Sequence, residues 1–249
     1  MLVTLVACSF DWDALDPRIV PDGGAAATGG GGMGGSSTSQ GGGGGSSVGG
    51  GGAGGMTPQY SEPVLVPLIS SDRWDEDDPT FTADGLELFF NTDRDDDNSN
   101  VWCANRASVD DDWGAPQRVE VASTPMSETN PAISTDGLRL WWSRTVGVDD
   151  NDIFVTTRPT RGADCADGWD TEVPVSELNT AGYDTVGAVT DDLLLMFFTR
   201  SPEQNLRQVT RPGPGVPWTN EEVVTALDSL FVDDQPCLST EQKPGDAHK

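Results

Sequence analysis

Asp77–Arg106 reads DDPTFTADGLELFFNTDRDDDNSNVWCANR, and Glu128–Arg158 reads ETNPAISTDGLRLWWSRTVGVDDNDIFVTTR. Setting Pro79 on Pro131 also sets Asp84-Gly85 on Asp136-Gly137, Phe89-Phe90 on Trp141-Trp142 and Arg106 on Arg158, a period of 52 residues. A third, weaker copy runs from Gly187 to Arg211, where Asp192, Met196, Phe197-Phe198 and Arg200 match Asp136, Leu140, Trp141-Trp142 and Arg144. A fourth starts at Asp233-Asp234-Gln235-Pro236 and stops. Repeats near fifty residues belong to solenoids, propellers or arrays.

The unit reads as β-structure. Pro79–Thr82 is a short strand with its proline at the first position, where no ladder donor is lost. Asp84-Gly85 is a tight turn, expected with positive φ at both central residues. Leu86–Thr92 alternates, with Leu86, Leu88 and Phe90 on one face and Glu87, Phe89 and Asn91 on the other. Val101–Asn105 and Arg118–Val121 complete four short strands, the content of one propeller blade. Trp113, Trp169 and Trp218 recur at one place in successive units and are expected to pack between blades. The aromatic pairs put one ring on each face of a strand, so each blade should contact both neighbours.

Acidic-x-Pro, apolar-Ser/Thr-x-Asp-Gly, an aromatic pair, an acidic loop and a strand ending in Arg together resemble the TolB-type propeller repeat, the Pro-Asp variant of the tryptophan-aspartate propellers. The resemblance covers about residues 60–240. It implies an all-β propeller of four-stranded blades at about 76–121, 128–178 and 184–227, with a partial one at 233–240. The third copy departs with Leu193 in place of the turn glycine, and the fourth has Glu241-Gln242 there. The alternative is an antiparallel sandwich. Pro63–Ile69 resembles an outer strand with no blade ahead of it and could close a small four-bladed ring. Otherwise the chain is a truncated piece of a longer parent, with 241–249 as an atypical tail.

The chain has 249 residues, 14 basic against 41 acidic, and a formal charge of −27. That balance argues against nucleic acid and anionic lipid surfaces, since phosphate affinity comes from Lys and Arg. Solubility and self-repulsion are the plain reading; attraction of a basic partner is the sharper one. Gly23–Gly55 is glycine at 19 of 33 positions. It cannot bury enough apolar surface to offset chain entropy, so 9–57 is expected to be a disordered tether, its Gly-rich part spanning about 30 Å.

Residues 1–8, MLVTLVAC, end in Leu5-Val6-Ala7-Cys8, which resembles a bacterial lipobox with Cys8 as the lipidated residue. The basic n-region of a signal peptide is missing, so this is a partial signal at most. The resemblance implies an envelope lipoprotein, held by its lipid at the outer membrane, cell surface or periplasm.

No catalytic residue stands out. The single histidine, His248, sits in the tail, and no nucleophile elbow, P-loop or H-E-x-x-H occurs. Asp93, Asp95 and Asp97 place oxygens at alternate positions, but Asn98 and Ala104 stand where an EF-hand needs Gly and Glu. A looser calcium site there is weighed against a solvated loop; otherwise no cofactor is expected. With Cys8 lipidated, Cys103, Cys165 and Cys237 remain. They lack zinc spacing, and a disulfide to Cys165 has no partner assignable from sequence. The expected function is a non-enzymatic envelope scaffold that binds protein or glycan. A carboxylate-dependent glycan hydrolase and a gene fragment without independent function are the alternatives.

Overall fold

The computed structural model describes residues 5–7, 64–95, 98–202, 205–227 and 236–238. The chain divides into Met1–Phe10 with Leu65–Lys249, and Asp11–Val64; of the second unit only Val64 is described. The tether, Cys8, Asp97 and the tail therefore lie outside the described residues.

After β1 (Leu5–Ala7), three four-stranded sheets follow in chain order. The first holds β2 (Glu76–Phe81), β3 (Glu87–Thr92), β4 (Asn100–Asn105) and β5 (Gln117–Arg118). The second holds β6 (Glu128–Ile133), β7 (Arg139–Gly147), β8 (Asp150–Thr157) and β9 (Val173–Pro174). The third holds β10 (Asp184–Val189), β11 (Leu195–Arg200), β12 (Asn205–Thr210) and β13 (Thr219–Val223). Each is a simple antiparallel meander, the topology of a propeller blade. β14 (Pro236–Leu238) pairs with β1, Val6 opposite Cys237. No α-helix occurs among the described residues. The described fold is all-β, built from four-stranded antiparallel sheets consistent with propeller blades.

The first hairpin of each sheet departs from the geometry expected of Asp-Gly. Gly85 and Gly137 have φ of +64° and +73°, while Asp84 and Asp136 are not left-handed. The turn is closed by side chains: the Thr82 hydroxyl donates to the Asp84 carboxylate (2.7 Å), which also accepts the Leu86 N–H (3.1 Å). Ser134 and Asp136 repeat the motif at 2.6 Å, and Thr190 and Asp192 at 2.6 Å. Only the residue after the Asp must then be left-handed. In the third sheet Leu193 takes that place at φ +61°, so the turn is kept without its glycine.

Pro79 is not the first residue of its strand. It is the fourth residue of β2, within a bulge between Asp77 and Thr80, and Pro131 occupies the same bulge in β6. A bulge leaves a residue out of the ladder, so proline's missing donor costs nothing there. Asp78 and Asn130, just before the prolines, are left-handed at φ +53°.

The fourth strand is shorter than the Arg118–Val121 of the sequence reading. β5 ends at Arg118; Val119 still donates to the Val101 carbonyl, and Glu120–Ala122 forms a 3-10 turn. Pro63–Ile69 is likewise no strand among the described residues. Val66–Ile69 is a turn in which the Ile69 N–H bonds the Val66 carbonyl (3.2 Å). The same closure follows each outer strand: Ala122 to Val119 (2.9 Å), Leu178 to Val175 (2.9 Å) and Leu227 to Val224 (3.0 Å). The segment thus copies the turn that ends a sheet, not the strand ahead of it. Pro67 cannot donate to a ladder, which favours that outcome.

The aromatic pairs divide as alternation requires. Phe89 and Trp142 meet in the core between the first and second sheets, with Val101 and Leu140. Trp141 and Phe198 meet between the second and third, with Ile153 and Met196. Phe90 turns to the opposite face of the first sheet, beside Ile69, Leu88 and Trp102. Full burial of each ring contributes about 2–3 kcal/mol. Polar bonds fix the sheets' relative height. Asn91 and Ser143, at matching positions, accept the backbone N–H of Asn130 (3.1 Å) and Val186 (3.0 Å) in the next sheet. An ion pair also recurs: Glu76 with Arg94 (3.2 Å), Glu128 with Arg144 (2.7 Å), and Asp184 with Arg200 (2.5 Å).

Candidate functional site

The arginine ending the third strand of each sheet is held in one manner. Its Nε donates to the carbonyl of the left-handed turn residue: Arg106 to Gly85 (2.8 Å), Arg158 to Gly137 (2.8 Å), Arg211 to Leu193 (2.6 Å). Its guanidinium then lies over the recurring tryptophan of its own sheet. The distances are 4.3 Å to Trp113, 4.3 Å to Trp169 and 4.0 Å to Trp218. Such stacking stabilises by roughly 0.5–2 kcal/mol when water is excluded. The tryptophans expected to pack between sheets therefore also clamp an arginine. Trp169 and Trp218 do reach the inter-sheet cores, whereas Trp113 packs on the first sheet beside Phe81.

What lies beyond the clamp differs from one interface to the next. Between the first and second sheets it is sealed. Arg158 Nη2 donates to Glu87 across the gap (2.6 Å), and both side chains are buried. Arg161 adds bonds to Asp84 (2.5 Å) and Glu87 (3.2 Å). A disulfide joins Cys103 of β4 to Cys165 in the loop after β8, Cα to Cα 6.0 Å. Cys165 thus has the partner that its sequence could not name.

Between the second and third sheets each of these seals is missing. Arg139 stands where Glu87 stands, and Val155 where Cys103 stands. Ten residues separate Arg158 from Trp169, but only six separate Arg211 from Trp218, and Pro214 replaces Arg161 three positions after the arginine. The shorter loop leaves a cleft of about 210 Å³, lined by Arg139, Trp141, Val155, Glu177, Arg211 and Trp218 among others. Glu177 sits at its wall, with Oε1 accepting the backbone N–H of Trp218 (3.0 Å).

Arg94, Arg144 and Arg200 are paired as above, Arg158 and Arg161 bond Glu87, and Arg207 bonds Glu221 (2.6 Å). Among the described residues Arg139 and Arg211, like Arg73 and Arg106, form no ion pair. Arg211 is only 8% exposed, and its Nη2 is buried without a hydrogen-bond partner. Burial and the neighbouring Arg139 guanidinium, opposed by Glu177, hold Arg211 well below the ordinary arginine range, at about 10. It remains charged at neutral pH. Arg211 has the Leu193 carbonyl on Nε, the Trp218 ring on its face and Glu177 nearby, but its buried Nη2 has no hydrogen-bond partner among the described residues, and an unmet buried donor is costly.

The residues singled out for metal binding fall elsewhere. Asp93 accepts the Asp75 N–H (3.1 Å), Asp95 lies 3.9 Å from Arg118, and Asp97 is outside the described residues. Among the described residues no group of three or more His, Cys, Asp or Glu side chains is arranged to hold a metal ion. Cys8 and His248 are not described. Reading the sequence missed Arg139 and Arg211 as a pair. Their signal was present as an alignment departure, Arg139 under Glu87, but only the stacking of sheets reveals that the position faces the next sheet's arginine.

No protein-family model matches the chain, and no curated protein is significantly similar to it. Among solved structures, TolB from Acinetobacter baumannii is similar at 12% identity and a TM-score of 0.44, covering 63% of this chain and 33% of that one. A Mycobacterium tuberculosis puromycin-hydrolyzing peptidase is similar at 15% identity and a TM-score of 0.38, covering 61% of this chain and 23% of that one. The chain thus spans about a third or less of the length of either structure.

Proposed function

We propose that the chain is a non-catalytic binding module on a propeller-type scaffold, and that its ligand enters the cleft between the second and third sheets. The observation that carries this reading is Arg211: buried, charged, without an ion-pair partner among the described residues, and at the second of the two described interfaces, where the seals of the first are absent. The cleft lining contains one carboxylate, Glu177. Glycoside hydrolysis by the usual route uses two, so binding is favoured over turnover.

Display on the cell envelope through lipid on Cys8 completes the proposal, supported by the Leu-Val-Ala-Cys motif ahead of a glycine-rich segment. No described helix is long and apolar enough to cross a membrane. Lipidation by this route removes residues 1–7, and with them β1, the partner of β14. Intact mass and metabolic palmitate labelling in a bacterial host distinguish the two states. An unprocessed, unlabelled chain would sink the anchor but leave the binding module standing. For the module, the purified chain is exposed to immobilised polysaccharides and peptides while product release is monitored. Retention without turnover is expected. Turnover lost on Glu177→Gln would replace the binding reading with a hydrolytic one.

A further inference from the structure

We infer that the cleft between the second and third sheets recognises the carboxylate of an acidic sugar residue through Arg139 and Arg211. This rests on the reading of the cleft as a binding site and names the ligand's chemistry.

At the first interface the strand-ending arginine finds its counter-charge within the fold, since Arg158 bonds Glu87. At the second, the residue equivalent to Glu87 is Arg139, so the two guanidiniums face one space and neither forms an ion pair among the described residues. The fold therefore leaves a place for a carboxylate from outside. Arginine's planar fork suits a carboxylate, which it can bind by two parallel hydrogen bonds. Trp218, stacked 4.0 Å from the Arg211 guanidinium, fixes that fork in orientation before a ligand arrives.

Two features narrow the class. The cleft, at about 210 Å³, is smaller than the roughly 300–1,000 Å³ of pockets for drug-sized ligands, so one ring is its capacity. Glu177 at the wall disfavours a dianion such as phosphate. Its carboxylate is acceptor-only, and Thr157, whose hydroxyl donates to Asp170 (3.0 Å), is the polar uncharged residue of the lining, so Glu177 is the group that suits hydroxyl hydrogens. One carboxylate, several hydroxyls and a single ring describe a uronate.

The test uses the full chain and millimolar sodium glucuronate, followed through the Trp218 indole and Arg211 Nε–H signals by NMR. Glucose, inorganic phosphate and N-acetylalanine form the comparison arms. Saturable shifts with glucuronate, absent with glucose, are expected, with Kd on the order of a millimolar. Arg139→Glu should weaken glucuronate at least about tenfold while raising Tm by a few degrees, because it supplies Arg211 with the partner Arg158 has. Arg139→Met should weaken binding without a new ion pair. Loss of binding together with a gain in stability separates recognition from misfolding. If phosphate or N-acetylalanine shifts these signals and glucuronate does not, the sugar-acid assignment falls while the binding cleft stands. If no arm shifts them, or if Arg139→Glu binds glucuronate as well as the parent, the assignment is overturned. Silence from every arm, with binding to immobilised ligands also absent, removes the binding module as well.

Discussion

Removing the Cys103–Cys165 disulfide should lower stability by a calculable amount. The bond links residues 62 apart, from a strand of the first sheet to a loop of the second. In the chain-entropy account, a closed loop of that length restricts the unfolded chain by about 4 kcal/mol at 25 °C. In a domain of this size about 1 kcal/mol moves Tm by roughly 2–4 °C, so Cys103→Ala with Cys165→Ala should lose about 8–16 °C. Both sulfurs are fully buried, so some of the loss will reflect packing rather than the cross-link. Urea unfolding separates the two. A freed unfolded chain expands and exposes more surface, so the m-value should rise with the double substitution, whereas a packing defect lowers the midpoint at constant m. Cys8 and Cys237 stay in place in both proteins, which keeps the comparison to one bond. A Tm shift under about 3 °C with an unchanged m-value would refute the idea that this bond constrains the first two sheets.

Gly137→Ala should destabilise more than Gly85→Ala, by about 1 kcal/mol or more. Both glycines are left-handed, but an added Cβ at 137 meets Arg161 Cδ and Thr82 Cγ2 at 3.0 Å, against 3.5 Å or more at 85; paired thermal melts decide it. Glu87→Gln should cost about 3 kcal/mol, since it leaves buried Arg158 without its carboxylate; chemical denaturation gives the value, and a loss below about 1 kcal/mol would contradict it. For Asp84, burial works upward but is outweighed by hydrogen bonds from Arg161, Thr82 and the Leu86 N–H, which hold it at about 2. A depressed acid contributes stability that is present above its unfolded pKa and lost as pH falls through the folded one. Its share should therefore survive at pH 5 and disappear between about pH 4 and 2, and Arg161→Ala should return Asp84 toward the ordinary range in a carboxyl NMR titration.

The sheets were legible because two signals agreed. Phe89-Phe90 and Trp141-Trp142 sit inside alternating runs, and the runs recur at one spacing, which is far more specific than either signal alone. Turn chemistry was only half legible. Asp-Gly is compatible with two turn types, and the residue that decides between them is the Thr or Ser two positions earlier, whose hydroxyl caps the Asp. Once that capping is recognised, Leu193 ceases to be an anomaly: Thr190 and Asp192 close the turn whatever follows. The outer strands were misjudged because an alternating stretch such as Arg118–Val121 reads as a strand, while the ladder stops after Val119 and the chain turns through Ala122. The cleft was the least legible feature. It depends on neighbours 72 residues apart, Arg139 and Arg211, and on a loop shortened by four residues, neither of which leaves a local pattern.

A repeat protein tests its own substitutions, because every position is seen in several copies under nearly the same geometry. At the arginine clamp three copies agree on the Nε bond and the tryptophan, so that much is structural. They disagree on what faces the guanidinium across the gap. A glutamate there is demonstrably compatible with the fold, since Glu87 occupies the place and bonds Arg158. The chain is rich in carboxylates, and a single residue would neutralise Arg211. Instead position 139 presents another arginine, a like charge beside a buried guanidinium that Glu177 offsets only in part, against the direction folding energy favours. Local conflicts of this kind concentrate at functional sites, where the strain is relieved by a ligand. Solubility does not explain Arg139 either, because a positive charge reduces the magnitude of a strongly negative net charge. On the proposed reading the pair meets an anion supplied from outside, and placing an acidic residue at 139 should abolish that role while making the protein more stable.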